Sequence, residues 1–374
     1  MNPTTTVADD SVVVQRILDH IDQKTTDLGA GWREPVANYR SPERLAAERA
    51  VMRRTPTPFC PSAALAEPGS FVAREAAGTP LLAVRGSDGE VRVFRNACRH
   101  RGTQLASGSG CQRAFVCRYH GWTYGLDGSL RHVPHAGGFP GLDLATRGLV
   151  PVASRELHGL VFVTQDTPLS EAGLDALPPL IPSGHRLLGS AANETPANWK
   201  ILCEGFLEGY HIRSTHPGTF YPLQFDNLNV VETFGRHRRI AFPYRNIQKL
   251  RAAPPAERSA DGTLTYVYHL FPNVMVATFP GRIIVVALEP LSLGSTLQHT
   301  WLLSDRDPGD PNAQAALAKG GDLVLAGGAE DRDVACAIQR SIASGANEFF
   351  EFGRCEAAIG HFHRTLAAAL AECA

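Results

Sequence analysis

The sequence lacks a long apolar run, an excess of charge of one sign and an N-terminal segment typical of secretion. Its longest apolar runs, such as Ile283 to Leu288, fall far short of the ~18–20 residues that cross a membrane. The 36 Lys and Arg residues are balanced by 37 Asp and Glu residues, which argues against a general nucleic-acid-binding surface. The first ten residues carry acidic side chains and lead into no long apolar stretch. These absences predict a cytoplasmic protein that neither enters membranes nor binds nucleic acid.

The chain also lacks internal repeats, low-complexity segments and any Cys-x-x-Cys pair. Its 374 residues allow two or three domains. In a long chain with no secretory segment, eight cysteines indicate metal binding or burial rather than disulfides. Five of these cysteines are scattered singly, and we expect them to be small buried apolar residues: Cys60, Cys203, Cys336, Cys355 and Cys373.

Hydrophobic periodicity divides the chain into helical ends and a β-rich early part. The segment from Thr4 to Arg53 has helical spacing, and short strand-like segments follow from about Pro56. Asp88-Gly89 and Asp127-Gly128 are typical of tight hairpin turns, since glycine readily adopts positive φ. Residues 167–182 are typical of a linker. The predicted boundaries are 1–55 for an N-terminal helical segment, 56–166 for a small β domain and 167–374 for a larger domain.

The larger domain shows both helical and strand-like patterns. A helical stretch from Asn198 to Tyr210 precedes several strand-like segments, and an apolar stripe including Val334, Ile338 and Ile342 predicts C-terminal helix. The pattern predicts an α+β protein in which a small β domain is inserted into a domain of antiparallel sheet and helices.

Two short Cys/His arms carry the first cluster of metal-binding residues. Cys98 and His100 form one arm, and Cys117 and His120 form the other. Each arm supplies one sulfur and one nitrogen, which suits two adjacent metals, as in a Rieske [2Fe–2S] centre. A Cys₂His₂ zinc site is the alternative, although zinc sites usually group like residues in each arm. Cys111 lies between the arms and has no histidine two or three residues behind it, so we expect it not to bind metal.

A second cluster follows in the larger domain. His211 and His216 could bind one ion only if the helix ends between them, and Pro217 favours such an ending. Two imidazoles and one carboxylate are the ligand set of non-haem Fe(II) oxygenases. Glu208, three residues before His211, could be the carboxylate ligand or a partner of the imidazole.

The motifs CRHRG and HGWTYGLDG, with the spacing of the Cys/His arms, resemble the Rieske non-haem iron oxygenases, the ring-hydroxylating oxygenase α-subunit family. Arg118 departs from the family pattern, which often has Pro there. The resemblance implies an all-β Rieske domain, inserted into a catalytic domain with a START-like helix-grip fold. It also implies that Cys98 and Cys117 bind one iron of the cluster and that His100 and His120 bind the other.

The same resemblance implies the remaining site residues. The third ligand of the mononuclear iron is usually a C-terminal acid, and Asp331 matches it best, with Asp333 as the nearby rival. Alternatively, Asp331 caps a helix that continues to Ile342. Glu208 matches the acid that bridges a Rieske histidine of a neighbouring subunit and His211. Glutamate at this position is seen in members resembling carnitine monooxygenase.

As a family member, the chain would be the terminal oxygenase component of a multi-protein system. Electrons from NAD(P)H would arrive through a reductase or ferredoxin, and O₂ would hydroxylate or oxidatively demethylate a small organic substrate. The expected assembly is a homotrimer of the short branch similar to carnitine/choline-type monooxygenases. Hydroxylation, demethylation, a larger assembly and the identity of the electron donor stay open.

We favour an aromatic substrate, and the alternative is a quaternary ammonium compound such as a betaine or carnitine. Arg245 or Arg282 could bind a substrate carboxylate. Both substrate classes suit aromatic residues expected near the catalytic iron: Phe206, Tyr210, Phe220, Tyr221, Phe225, Phe242, Tyr244, Tyr268, Phe279 and Trp301. A Rieske electron-transfer protein without oxygenase activity and a non-catalytic binding protein are the alternatives from other classes.

Overall fold

The structure, a computed structural model, describes residues 7–170, 174, 177–307 and 309–373. Its helices are α1 (Asp10–Gln23), α2 (Pro42–Arg54), α3 (Trp199–Gly205), α4 (Ile212–Thr215), α5 (Pro311–Ile342) and α6 (Ala357–Cys373). Its strands are β1 (Trp32–Pro35), β2 (Thr57–Pro61), β3 (Ser70–Ala76), β4 (Thr79–Arg85), β5 (Val91–Arg95), β6 (Gly108–Cys111), β7 (Phe115–Val116), β8 (Thr123–Tyr124), β9 (Leu130–His132), β10 (Pro151–Leu157), β11 (Leu160–Thr164), β12 (Arg186–Thr195), β13 (Val230–Phe234), β14 (His237–Pro243), β15 (Leu264–Leu270), β16 (Val274–Phe279), β17 (Arg282–Ser292), β18 (Ser295–Ser304) and β19 (Phe349–Phe352).

These elements form two units. One contains the described residues of 52–171 and 179–183, and the other those of 1–51, 172–178 and 184–374. The predicted linker at 167–182 lies partly outside the described residues. In the part of the chain that is described, none of the helices has the length and apolar character needed to span a membrane.

The first unit is built from antiparallel sheets. One has the order β2-β11-β10-β5-β4-β3-β6, and β7, β8 and β9 form a smaller sheet. Both predicted hairpins are confirmed: β4 pairs with β5 and β8 pairs with β9, with Gly89 at φ +85° and Gly128 at φ +79° in the turns. Cys98 and Cys117 are buried with the apolar core of this unit. The core therefore holds the sulfur ends of both Cys/His arms.

A seven-stranded antiparallel sheet dominates the second unit, in the order β12-β18-β17-β16-β15-β14-β13. Every residue of β14 and β15 is buried. The helix α6 packs on one face, where the rings of His269 and Phe362 lie 5.4 Å apart. The helix α5 lies on the same face, because Arg282 donates a hydrogen bond to the Leu317 carbonyl. This architecture confirms the predicted α+β class.

The spacing of the N-terminal segment predicted only helix, but the structure also contains a strand there. Strand β1 interrupts it and pairs with β19, with Trp32 opposite Phe352. Nearby, the rings of Tyr39 and Phe350 make an edge-to-face contact at 5.0 Å. The strand was missed because pairing between residues so distant in sequence leaves no local periodicity.

Candidate metal centres

The two Cys/His arms adopt matching turns. The N–H of Gly102 donates to the Cys98 carbonyl at 2.9 Å, and the N–H of Gly121 donates to the Cys117 carbonyl at 2.8 Å. Both glycines have positive φ, +79° and +73°, which disfavours any side chain there. The two arms therefore present their ligands in the same way, although one has a single residue and the other two residues between Cys and His.

The thiols of this pair of arms point inward and the imidazoles outward. Cys98 and Cys117 are each 3% exposed, whereas His100 is half-buried and His120 is exposed. The two imidazole rings lie 4.7 Å apart, and Trp122 stacks on His100 at 5.0 Å. Two buried sulfurs and two outer imidazoles suit a two-iron cluster in which the two cysteines hold one iron and the two histidines hold the other.

Tyr124 is a neighbour of the cluster site that the sequence reasoning missed. Its hydroxyl lies 3.3 Å from Cys98 Sγ and accepts a hydrogen bond from the Arg99 N–H at 2.9 Å. Burial and the nearby Cys98 raise the pKa of Tyr124, so the phenol keeps its proton and can donate to the sulfur. The predicted bystander Cys111 is exposed, with Sγ 3.7 Å from the Pro68 carbonyl oxygen.

The second group of ligands lies where α3 gives way to irregular backbone. Sequence reasoning placed Glu208 and His211 on one helix that ends near Pro217, but α3 ends at Gly205. Gly205 favours this early ending, because glycine loses more backbone conformational freedom in a helix than other residues do. A single turn, α4, then separates His211 from His216. α4 ends at Thr215, and His216, directly before Pro217, has left the helical conformation, with φ −114° and ψ 42°. The predicted helix ending between the two histidines is therefore confirmed, although it is the end of α4 and not of the helix that precedes Glu208.

Three side chains converge at this point. His211, His216 and Asp331 each offer one ligand atom, and these atoms all lie within 4.8 Å of one another. Asp331 Oδ1 lies 2.9 Å from His216 Nε2 and 3.6 Å from His211 Nε2. His216 Nε2 is buried and makes no well-aligned hydrogen bond to any described residue. The donor set and this unsatisfied nitrogen suit a divalent iron held by two imidazoles and one carboxylate.

A carboxylate holds the other nitrogen of His211. Glu208 Oε1 makes a short contact with His211 Nδ1, while Glu208 Oε2 accepts from the backbone N–H groups of Tyr210 and His211. Burial lowers the pKa of His211, but the hydrogen bond and charge of Glu208 outweigh it and raise the pKa overall. Glu208 therefore acts here as a partner of the imidazole rather than as part of the three-residue group.

The structure distinguishes the two candidate aspartates. Asp331 belongs to the three-residue group, whereas Asp333 is exposed and is not part of that group. The alternative role of Asp331 as a helix cap is wrong, because α5 begins far earlier, where Asp310 caps it. The glycines of this helix had weakened its pattern in the sequence. Glu330, which the sequence reasoning missed, lies 2.7 Å from His216 Nδ1.

The structure brings some of the aromatic residues expected near the second centre to that region and places others away from it. Phe220 packs against His216 at 4.8 Å, and Phe242 lies beside Gly209. The strand register places Tyr268 and Trp301 on the opposite face from Phe242, so those two expectations are wrong. The alternation of side chains along β15 and β18 could not by itself reveal which face of the sheet lies towards the residues of the second centre.

Comparison with known proteins is decisive for the family. Residues 185–372, just over half of the chain, match the ring-hydroxylating α subunit (catalytic domain), and residues 55–147 match the Rieske [2Fe–2S] domain. The chain belongs to the family of Rieske non-haem iron oxygenase α subunits. The matched ranges lie within the predicted domains or cross their limits only slightly, and the exact domain boundaries stay predictions.

Two curated relatives and one solved structure illustrate the similarity. The carnitine monooxygenase oxygenase subunit of Escherichia coli K12 is 37% identical over 250 residues, covering 64% of this chain and 65% of that protein. The chloroplastic choline monooxygenase of Beta vulgaris is 33% identical over 168 residues, 40% of this chain and 36% of that protein. A quaternary ammonium Rieske monooxygenase, CntA, shares the fold, with a TM-score of 0.78, 22% identity and coverage of 98% and 99% of the two chains.

Proposed function

We propose that this chain is the terminal oxygenase component of a Rieske oxygenase system and hydroxylates a quaternary ammonium compound. One observation carries the proposal: the chain that bears the Cys/His arms also brings His211, His216 and Asp331 within 4.8 Å of one another. A protein that only transferred electrons would have no use for this second ligand set. The overall reaction consumes a C–H bond, O₂, two electrons and two protons, and yields C–OH and water.

The residues of the chain would bind and orient the two centres. Cys98, His100, Cys117 and His120 would hold the cluster, which stores one electron, and the mononuclear iron would supply O₂ activation when bound. Glu208 keeps a proton on Nδ1 of His211, so that Nε2 is free to bind metal. In an assembled homotrimer, the outer edges of His100 or His120 would face Glu208 of a neighbouring copy. We expect a reductase or ferredoxin to supply the electrons from NAD(P)H.

The relatives favour the quaternary ammonium substrate over the aromatic one preferred from the sequence. Carnitine and choline, for which two relatives are named, both carry a trimethylammonium group. Aromatic rings attract such cations. Near the second centre, two aromatic rings already contact the cationic side chain of an arginine. The guanidinium of Arg245 lies 5.2 Å from the ring centre of Tyr221 and 5.4 Å from that of Phe225. Phe220, beside His216, is our candidate for contact with a substrate cation.

Hydroxylation next to a quaternary nitrogen predicts a recognisable product. A carbon that bears both a hydroxyl and a quaternary ammonium group loses its C–N bond: the bonding electron pair leaves with the nitrogen, the hydroxyl proton is released, and the products are a carbonyl compound and a tertiary amine. The test supplies the holoprotein with NADH, a surrogate reductase and, in parallel, carnitine, choline, glycine betaine, benzoate or naphthalene. We expect substrate-dependent NADH oxidation and a tertiary amine from one or more of the ammonium compounds.

Two variants make this test specific. His211→Ala should abolish product while leaving the Rieske absorption intact, and Asp333→Asn should change neither. Oxidation of the aromatic compounds alone would reject the proposed substrate class. Unchanged turnover in His211→Ala would reject the second centre as the place of the chemistry.

A further inference from the structure

We infer that Glu330 is the positioning residue that orients His216 for metal binding, an inference that rests on the proposed mononuclear iron. Glu330 Oε2 accepts two hydrogen bonds, from His216 Nδ1 at 2.7 Å and from Thr219 Oγ1 at 2.6 Å. The hydroxyl of Thr219 thus fixes the same oxygen that holds the imidazole. This contact fixes the proton on Nδ1 and leaves the lone pair of Nε2 for a metal.

The position of Glu330 in α5 explains how one helix controls both nitrogens of this ring. Glu330 and Asp331 are consecutive, so their side chains leave the helix about 100° apart. Glu330 reaches His216 Nδ1, whereas Asp331 Oδ1 lies 2.9 Å from Nε2. The imidazole is therefore held between two carboxylates of one rigid element. A rotation of the ring would break the contact with Glu330 as well as the geometry of the metal ligands.

The two histidines of the centre have different means of support. Glu208 lies only three residues before His211 and accepts hydrogen bonds from the backbone N–H groups of Tyr210 and His211. Glu330 instead lies 114 residues from His216 in the sequence. Its contacts with His216 and Thr219 tie α5 to the loop that carries the histidine. Loss of Glu330 should therefore affect metal binding directly, with no effect on the Cys/His arms.

The experiment measures metal affinity rather than turnover. Co(II) binding to the second centre is followed by competition with a chromophoric chelator, in protein whose Rieske cluster is intact. Glu330→Ala should weaken the affinity about 10- to 100-fold, the usual effect of losing a carboxylate partner of a metal-bound histidine. Glu330→Gln keeps an acceptor oxygen but no charge, and Thr219→Val leaves the carboxylate of Glu330 less well fixed. Both variants should therefore lose less Co(II) affinity than Glu330→Ala does. The visible Co(II) spectrum should change in Glu330→Ala.

Asp333→Ala is the matched control, because Asp333 is an exposed acid on the same helix outside the three-residue group. It should bind Co(II) as the unaltered protein does. An affinity of Glu330→Ala within twofold of the unaltered protein, or an equal loss in Asp333→Ala, would overturn the inference. The Rieske absorption and the melting temperature report folding, and Glu330→Gln decides the matter if Glu330→Ala fails to fold. Failure of the unaltered protein to bind Co(II) or Fe(II) would instead overturn the proposed function.

Discussion

At the residue scale, a buried arginine keeps two histidines of the second unit uncharged. Arg238 is fully buried and donates to Nδ1 of His269 and, at 2.9 Å, to Nδ1 of His361. Burial and the charge of Arg238 lower the pKa of His361 to about 3, and the same causes lower that of His269 well below its ordinary value. An imidazole that accepts a hydrogen bond at Nδ1 cannot also be protonated there.

The neighbouring His237 makes this effect measurable. Burial, with Arg238 and Arg236, lowers the pKa of His237 to about 3, and its Nδ1 accepts the N–H of Phe271 at 3.1 Å. Below pH 6.5 the unfolded chain binds a proton that folded His237 does not, so stability falls as the pH is lowered from 6.5 towards 3. From pH 6.5 to pH 5 the titration of this one residue should lower the free energy of unfolding by about 1–2 kcal/mol.

The variant His237→Asn retains an acceptor for the Phe271 N–H but cannot titrate. In urea unfolding at pH 6.5 and 5, it should lose less stability on acidification than the unaltered protein does. His132→Asn serves as the control, because His132 is exposed. Equal pH dependence in all three proteins would contradict the assignment.

Residue by residue, the sequence contains enough to select the two histidines and one acid that the structure brings together. Their residue types are rare in combination, and their spacing suits a metal. Their role as ligands stays a prediction. Glu330 could not be selected in this way, because an acid beside Asp331 resembles any solvated helix residue. Glu330 makes its contacts only because the loop that carries His216 and Thr219 lies against α5 in the folded chain.

At the scale of elements, the glycines of α5 allow other residues to approach the helix closely. A Cβ on Gly327 would lie 2.4 Å from the ring of Phe220, which in turn packs against His216. The adjacent Gly328 has open space at the same position. Of these two adjacent glycines, therefore, only Gly327 leaves space for the ring of Phe220 beside the second centre.

This contrast predicts opposite effects of one methyl group. Gly327→Ala should displace Phe220 and so disturb its contact with His216, cost about 1–3 kcal/mol of stability and weaken Co(II) binding. Gly328→Ala should add about 0.5–1 kcal/mol, because alanine favours the helix, and should leave metal affinity unchanged. Chemical unfolding and the Co(II) competition assay measure both quantities. Equal behaviour of the two variants would contradict the role assigned to Gly327.

Among the elements, those defined by local signals could be predicted and those defined by distant partners could not. The hairpins at Asp88-Gly89 and Asp127-Gly128 follow from the conformational freedom of glycine. The length of α5 was underestimated, because its glycines interrupt the helical pattern. Strand β1 depends on β19 and has no signal of its own.

At the scale of the whole molecule, the place of the Rieske unit between two parts of the other unit in the sequence could be predicted, because its motifs lie between two segments with helical spacing. Which faces of the sheet meet which helices could not, since this depends on the complete set of strand pairings. The assembly expected from the family also lies beyond a single sequence. It has a clear functional consequence, because Glu208 would connect centres of two different copies.

Mixed assemblies test that connection. A Cys98→Ser chain lacks a cluster ligand, and a His211→Ala chain lacks an iron ligand, so neither should be active alone. Co-expressed in equal amounts, they should form trimers with about a quarter of the normal activity, because one in four contacts then joins two intact centres. Electron transfer confined to single chains predicts no recovery. Simply combining the separately purified proteins is the control and should give no activity.

The pairing of β1 with β19 has a practical consequence for dissecting the protein. Residues 32–35 and 349–352 hold one another in place, although the entire Rieske match separates them in the sequence. A fragment cut at the start of the catalytic match, residue 185, would leave the backbone of β19 without its partner strand and Phe350 without the ring of Tyr39. An exposed strand edge offers a pairing site for other chains, so we expect the shortened polypeptide to self-associate more readily than the whole chain does.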